Sequence, residues 1–219
     1  MHGERLSQLV SFERLKRAAS VVLLSPYIPL LFMGEEYGET APFHYFISHI
    51  DPGLVAAGRR GRREEFTVFR WQGEPPDPQA EATFLRSQLD HTLRDQEPHR
   101  TLLAFTRELI QLRTELAALA TMRKEAMEVL SYEAQHVLCV RRWNHAEEVV
   151  TVFHFGETSV SLALPVPVGH WHKRLDSVDA QWQGRGSSVP LTLHSAGAVR
   201  LTLPPTMVVL FVQGQAIAH

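Results

Sequence analysis

The chain has 219 residues, of which 44% are hydrophobic and 21% charged, and its formal net charge is −2. That composition belongs to a soluble globular protein of one large or two small domains, with no long-range pull toward nucleic acid or an anionic membrane. The lone Cys139 excludes an intrachain disulfide and a cysteine-built metal cluster; apolar runs stay well short of the roughly 20 residues of a membrane span, and with no signal peptide visible the expected compartment is the cytoplasm.

Residues 4–24 place Leu6, Leu9, Val10, Leu15, Ala18, Ala19 and Val22 at helical spacing, which predicts one helix with one buried face. A Ser-Pro-Tyr turn leads into the apolar run 28–33, closed by Gly34. The run is too short for an ordinary helix and is bounded by Pro and Gly, so it reads as a strand buried on both faces. A helix followed by such a strand is one unit of an α/β fold. Two carboxylates come next, Glu35 and Glu36, then the aromatics Tyr37, Phe43, Tyr45 and Phe46. Acids and aromatics just past the carboxyl end of a barrel strand are where α/β barrels build sites.

Residues 39–50 read as an irregular loop. Asp51 as N-cap and Pro52 at the first helical position start a helix that runs to about Phe66. Arg59, Arg60, Arg62, Arg63, Glu64 and Glu65 make it polar on most faces, and Gly58 and Gly61 weaken it. Three prolines and a glycine make 71–79 a loop, and a short helix covers 79–89. Pro98 opens a long helix whose stripe is Leu102, Phe105, Leu109, Leu112, Leu116 and Leu119.

After about residue 127 the period changes to two. Strands are predicted at 128–134, 136–143, 147–155, 158–164, 169–175, 189–193, 198–203 and 206–213, separated by turn residues. Val149, Thr151, Phe153 and Phe155 alternate with Val150, Val152 and His154, so both faces of that strand are largely apolar, as in a central strand. This half is expected to be antiparallel and sandwich-like. The boundary falls near 120–127, dividing the chain into 1–124 and 125–219.

The stretch LLSPYIPLLFMGEEYGE, followed by PFHYF, HIDP and GRRGRREEF, resembles the late part of the malto-oligosyltrehalose trehalohydrolases, a family of the α-amylase superfamily of glycoside hydrolases. The terminal LPPTMVVLF is similar to the closing strand of amylase-type C-terminal domains. PLLFMGEEYGE alone also fits glycogen-branching enzymes; PFHYF and GRRGRREEF favour the trehalohydrolases. The chain departs from the family at Ser48, where members tend to carry an acid before the histidine. The resemblance implies an α+β chain: the end of a (β/α)8 barrel, with 28–33 as its last strand and helices on either side, then an antiparallel β-sandwich domain.

It also implies a reaction, the release of trehalose from maltooligosyl-trehalose by cleavage of the adjacent α-1,4 bond, with retention and with no cofactor or metal. The family's three catalytic carboxylates lie upstream of the matching segment, so this chain carries no catalytic residue. A retaining glycosidase needs two carboxyls about 5–5.5 Å apart, and neither Glu35 nor Glu36 has an opposing one. The chain alone is therefore expected to be inactive, to lack an N-terminal barrel portion, and to cover its bare strand by self-association.

In that frame Glu35, Glu36, Tyr37, Phe43, Tyr45 and Phe46 are the candidate substrate-binding residues. Carboxylates bind sugar hydroxyls and aromatic rings offer flat apolar faces; the competing reading is turn capping and loop packing. The arginines of 59–63 read as a salt-bridged face, His44 and His49 as loop hydrogen-bonding groups, and Trp143, Trp171 and Trp182 as core. Maltooligosyl-trehalose or an α-glucan is the implied ligand. The rival readings are a non-catalytic carbohydrate-binding or scaffolding module and a fragment of a branching enzyme.

Overall fold

The computed structural model describes residues 3–68 and 73–214. Six helices come first: α1 (Leu6–Leu9), α2 (Phe12–Leu24), α3 (Pro52–Val68), α4 (Glu81–Arg86), α5 (His99–Glu115) and α6 (Ala117–Ala120). The strands follow: β1 (Met127–Tyr132), β2 (Val137–Trp143), β3 (Glu148–His154), β4 (Val160–Leu164), β5 (Gly169–Asp176), β6 (Thr192–Ser195), β7 (Val199–Leu203) and β8 (Val208–Gln213). Among the described residues no helix is long and apolar enough to cross a membrane.

The fold is α+β with antiparallel pairing throughout. One sheet has six strands in the order β1-β2-β3-β8-β5-β6, and β4 pairs with β7 in a second. Because successive side chains point to opposite faces, β3 and β8 each feed two cores. Val150, Val152, Val209 and Phe211 face the two-stranded sheet and meet Leu162, Leu164, Leu201, Leu203 and Trp171. Val149, Phe153, Val208 and Leu210 face the helices and meet Leu23 and Leu24 of α2 and Phe105, Leu109 and Leu112 of α5. The molecule is thus layered as helices, six-stranded sheet and two-stranded sheet. The predicted central strand is central, and the stripe of the long helix is its buried face.

Two N-terminal expectations change. The helix over 4–24 breaks at Val10 and Ser11; Ser11 is extended, and its Oγ accepts the Arg14 N–H at 3.4 Å to start α2 afresh. The strand at 28–33 does not form. All strands of the described residues lie within 127–213, so this run has no neighbouring edge with which to build a ladder. Side chains answer part of its backbone instead: Arg113 donates to Tyr27 O at 2.7 Å, Arg5 donates to Met33 O at 2.8 Å, and Glu35 accepts from Phe32 N at 3.0 Å. Ile28 and Leu30 are left 81% and 87% exposed.

Elsewhere the differences are small. The long helix ends at Glu115, and Leu116 turns its stripe into α6. The strand expected at 189–193 is Thr192–Ser195. The loop at 71–79 is irregular over 73–79; residues 71 and 72 lie outside the described ones.

Cations fasten the helices to one another and to the sheet. Arg142 of β2 is 2% exposed and donates to Leu24 O, Leu119 O and Thr121 O at 3.1, 3.1 and 2.5 Å. Arg113 of α5 donates to Leu23 O and Ser25 O, both at 2.7 Å. These carbonyls belong to helix ends that lack an internal partner, where a positive charge also favours the helix dipole. Burial pushes the Arg142 guanidinium down to about 10, which leaves it charged at neutral pH. Lys16 of α2 is fully buried and donates to Ser177 O and Trp182 O at 2.6 and 2.8 Å. Its Nζ lies 3.0 Å from Glu13 Oε2, close enough to pair although not aligned as a hydrogen bond. Burial lowers its pKa against the pull of Glu13 and Asp176.

Replacing Arg142 by Met would leave three carbonyls unanswered. The variant is expected to lose about 2–4 kcal/mol, since a buried polar group without its partner costs about 1–3 kcal/mol and the lost desolvation of the guanidinium offsets part of the sum. Arg142→Lys should recover less than half, because an ammonium cannot reach three carbonyls in a fork. Urea unfolding of the three proteins measures both effects; equal midpoints for wild type and Arg142→Met would show that the helix ends do not depend on this residue.

Candidate functional site

The segment following the unpaired apolar run folds into a tight turn over residues 33–38. Glu35 N and Glu39 N donate to Phe32 O and Gly34 O at 2.9 Å each, and Gly38 N to Glu35 O at 3.2 Å. Gly34 has φ +89°, and a Cβ there would lie 2.6 Å from the Glu39 Cβ. A left-handed backbone at that close approach requires glycine.

The group that holds this turn is Glu39, which is 1% exposed. Its Oε1 accepts from Thr40 N and Ala41 N, and its Oε2 from Tyr37 Oη and Asp90 N, each at 2.8 Å. Burial alone would raise its pKa, but the hydrogen bonds from Ala41, Tyr37, Asp90 and Thr40 outweigh that and hold it below the ordinary carboxyl range. Ser7 of α1 donates to Glu39 O at 2.5 Å, and the ring Nδ1 of His99, at the start of α5, donates to Tyr37 O at 2.9 Å. Arg5 ties Ala41 O to Met33 O across the base of the loop at 3.0 and 2.8 Å and lies over the Phe32 and Phe43 rings. Its remaining nitrogen, Nη2, is buried without a partner among the described residues.

The six candidate residues divide by environment. Tyr37 is fully buried, and burial together with the bond to Glu39 raises its pKa; it supports the loop from below and has no face for a ligand, contrary to its expected contact role. Phe43 and Phe46 join an edge-to-face series, Phe32 to Phe43 at 4.9 Å, Phe43 to Phe46 at 5.9 Å and Phe46 to Phe84 at 5.2 Å. They are the packing of the loop. Tyr45 is 52% exposed, with the Arg62 guanidinium 5.7 Å above its ring. Arg62 is held in turn by Glu65 at 2.8 Å and stands 5.1 Å from the Phe66 ring. Glu35 is exposed and Glu36 half-buried. Both line a cavity of ≈ 130 Å³ whose apolar wall is Leu15, Ala18, Ala19 and Val22 of α2 with Leu102 of α5.

Other residues take plainer roles. The His44 N–H donates to Ser87 Oγ, and the backbone of His49 is clamped by Gln79 on both its N–H and its carbonyl. Arg59 grips Asp77 through two bonds at 2.9 and 2.8 Å. Trp171 is fully buried in the core, and Trp182 packs edge-on against Phe105 at 5.3 Å. Among the described residues no group of three or more His, Cys, Asp or Glu is placed to hold a metal ion. Chemically, the turn presents the Glu35 and Glu36 carboxylates as hydrogen-bond acceptors, and the exposed ring beyond it is that of Tyr45. Sequence reasoning passed over Glu39. Its signal was the third acid of GEEYGE, set just after the second glycine and ahead of backbone N–H groups with no helix or strand to bond to.

Glu39→Gln keeps the shape of the side chain but sets an amide nitrogen against a backbone donor. Because the folded pKa of Glu39 is depressed from 4.5, its contribution is complete above about pH 4.5 and is lost as pH falls through the folded value. The wild-type minus variant stability, from urea midpoints between pH 3 and 7, should therefore be largest at neutral pH and shrink toward pH 3. A pH-independent difference would remove Glu39 from that role.

No family model matches the sequence. Among characterised relatives, the malto-oligosyltrehalose trehalohydrolase of Arthrobacter ramosus is 43% identical over 169 residues, which is 76% of this chain and 26% of that protein. Its counterpart in Saccharolobus solfataricus is 44% identical over 130 residues, 59% of this chain and 21% of that protein. Among solved structures, a Salmonella typhimurium protein assigned provisionally to the alpha amylases matches 97% of this chain and 32% of its own, with TM-score 0.73 and 30% identity. The alpha-amylase of H. orenii matches 93% of this chain and 36% of its own at TM-score 0.56 and 17% identity, a likeness of fold alone. The chain thus spans about a quarter of the length of the relatives it matches. Over most of its length the chain is similar to a C-terminal portion of the malto-oligosyltrehalose trehalohydrolases, and its fold is that of α-amylase family enzymes.

Proposed function

We propose that this chain is the C-terminal part of a glycoside hydrolase that releases trehalose from maltooligosyl-trehalose by cutting the adjacent α-1,4 bond. The nucleophile and general acid of a retaining mechanism come from outside these 219 residues, so the chain alone has no hydrolytic activity. The loop over 34–46 forms part of the sugar-binding wall in the assembled enzyme. Glu35 and Glu36 accept hydroxyl hydrogens, Tyr45 stacks on a ring with Arg62 fixed behind it, and Glu39 keeps the wall rigid. The observation that carries this reading is the match to trehalohydrolases over 76% of the chain, on a loop that leaves Tyr45 and Glu35 exposed while everything beneath them is tied down.

The test is a chimera in which this chain replaces the matching part of the Arthrobacter ramosus relative. The chimera should release trehalose from maltooligosyl-trehalose, and the chain alone should release none. Tyr45→Ala in the chimera should raise KM about tenfold, the worth of roughly 1.4 kcal/mol of stacking, with a smaller change in kcat. Trehalose release by the chain alone would place catalytic carboxylates within it, and a folded chimera without activity would remove the proposed reaction.

The bare run over 28–33 also has a consequence for the isolated chain. Ile28, Leu30 and Met33, at 81%, 87% and 51% exposure, form an apolar surface of the kind that monomers rarely show, and a second copy is proposed to cover it. Light scattering should give a mass above 24.8 kDa, which falls to the monomer value in Ile28→Ser/Leu30→Ser. A wild-type monomer at micromolar concentration would exclude self-association.

A further inference from the structure

A groove lies away from the 34–46 loop, between residues 121–126 and the turn from β2 to β3. It measures ≈ 600 Å³ and is lined by Thr121, Arg123, Glu125, Trp143, Asn144 and His145, within the size range of small-molecule sites, about 300–1,000 Å³. Trp143 is the last residue of β2 and is half-buried. The Arg141 guanidinium stands 4.9 Å from the centre of its ring and is itself paired with Glu128 and Glu148. The indole is therefore backed by a fixed cation and turned by its position toward the groove.

Both walls are set in place from behind. Thr121 O is gripped by the buried Arg142 at 2.5 Å, which anchors the start of the 121–126 segment. Across the groove, Asn144 Oδ1 accepts from Ala146 N and Glu147 N at 2.9 and 2.7 Å, while Asn144 N donates to Glu147 O at 2.9 Å, which locks the turn. Around the indole, the side chains of Arg123, Glu125 and His145 make no hydrogen bond or ion pair with another described residue. The amide nitrogen of Asn144 is free in the same sense. Donors and an acceptor without protein partners thus surround one aromatic plane.

We propose that this groove is a second saccharide site, which takes a neutral glucan chain on Trp143. A pyranose ring has an apolar C–H face for the indole and hydroxyls around its edge for Arg123, Glu125, Asn144 and His145. One arginine and one glutamate leave the lining without net charge, which disfavours phosphorylated or carboxylated ligands. Preorganised walls limit the ordering cost of binding. The assignment rests on the chemistry of this groove and is independent of the trehalose-forming reading.

The test is titration of the whole chain with maltoheptaose, followed by calorimetry and by tryptophan fluorescence. Saturable binding in the millimolar range or tighter is expected, with a fluorescence change that disappears in Trp143→Phe. Trp143→Ala should weaken binding at least about tenfold, as the loss of a stacked, partly buried ring implies. Because that variant touches β2, Arg123→Ala/His145→Ala provides a second reading from residues outside the sheet, and it too should weaken binding at an unchanged unfolding midpoint. Absence of saturable binding, or binding that neither groove variant weakens, overturns the proposal. Trehalose release by the chimera reads a different surface and would survive any of these results.

Discussion

Helix α2 ends where the helices meet the sheet, and its last carbonyls have no helical partner. Leu23 O, Leu24 O, Ser25 O and Tyr27 O are answered by two guanidiniums, Arg113 from α5 and Arg142 from β2. Arg142 reaches on to Leu119 O and Thr121 O, so one side chain of the sheet holds the ends of two helical segments. Apolar contact alone would let the helices slide over Val149, Phe153, Val208 and Leu210, because such contact is non-directional. The forked cations fix position as well as proximity.

That fixed interface explains how a chain with an unpaired N-terminal run still presents an ordered loop. The loop over 34–46 hangs from α1, α5 and the segment before the His91–Asp95 turn through Ser7, His99 and Asp90. Each of those supports refers back to the same helical layer. Glu39 collects them, and its four donors hold its pKa down where burial alone would raise it. A carboxylate so fully engaged is poorly suited to proton transfer and well suited to holding shape.

The likeness to the trehalohydrolases and the exposed apolar run point the same way. A segment rich in Ile, Leu, Phe and Met that finds no strand partner in this chain is understandable in a fold whose relatives are about four times as long. The cavity beneath Glu35 and Glu36, and the unanswered nitrogen of Arg5, belong to that same face.

Much of this was legible from residue order. Two-residue alternation identified the strands of the C-terminal half to within a few residues and singled out β3 as central, since a period of two with apolar residues at both parities has only that solution. The stripe from Leu102 to Leu112 identified the helix against which the sheet packs, and GEEYGE together with PFHYF and GRRGRREEF carried the resemblance to the trehalohydrolases. Tertiary structure alone decided the rest. Whether 28–33 becomes a strand depends on a neighbouring edge, which is a property of the partner and not of the segment. Whether Tyr37 faces a ligand or a carboxylate, and whether Glu39 or Glu35 carries the loop, depends on which backbone N–H groups converge from positions as far apart as Tyr37 and Asp90. Local patterns encode which face of an element is apolar; they do not encode what arrives to cover it.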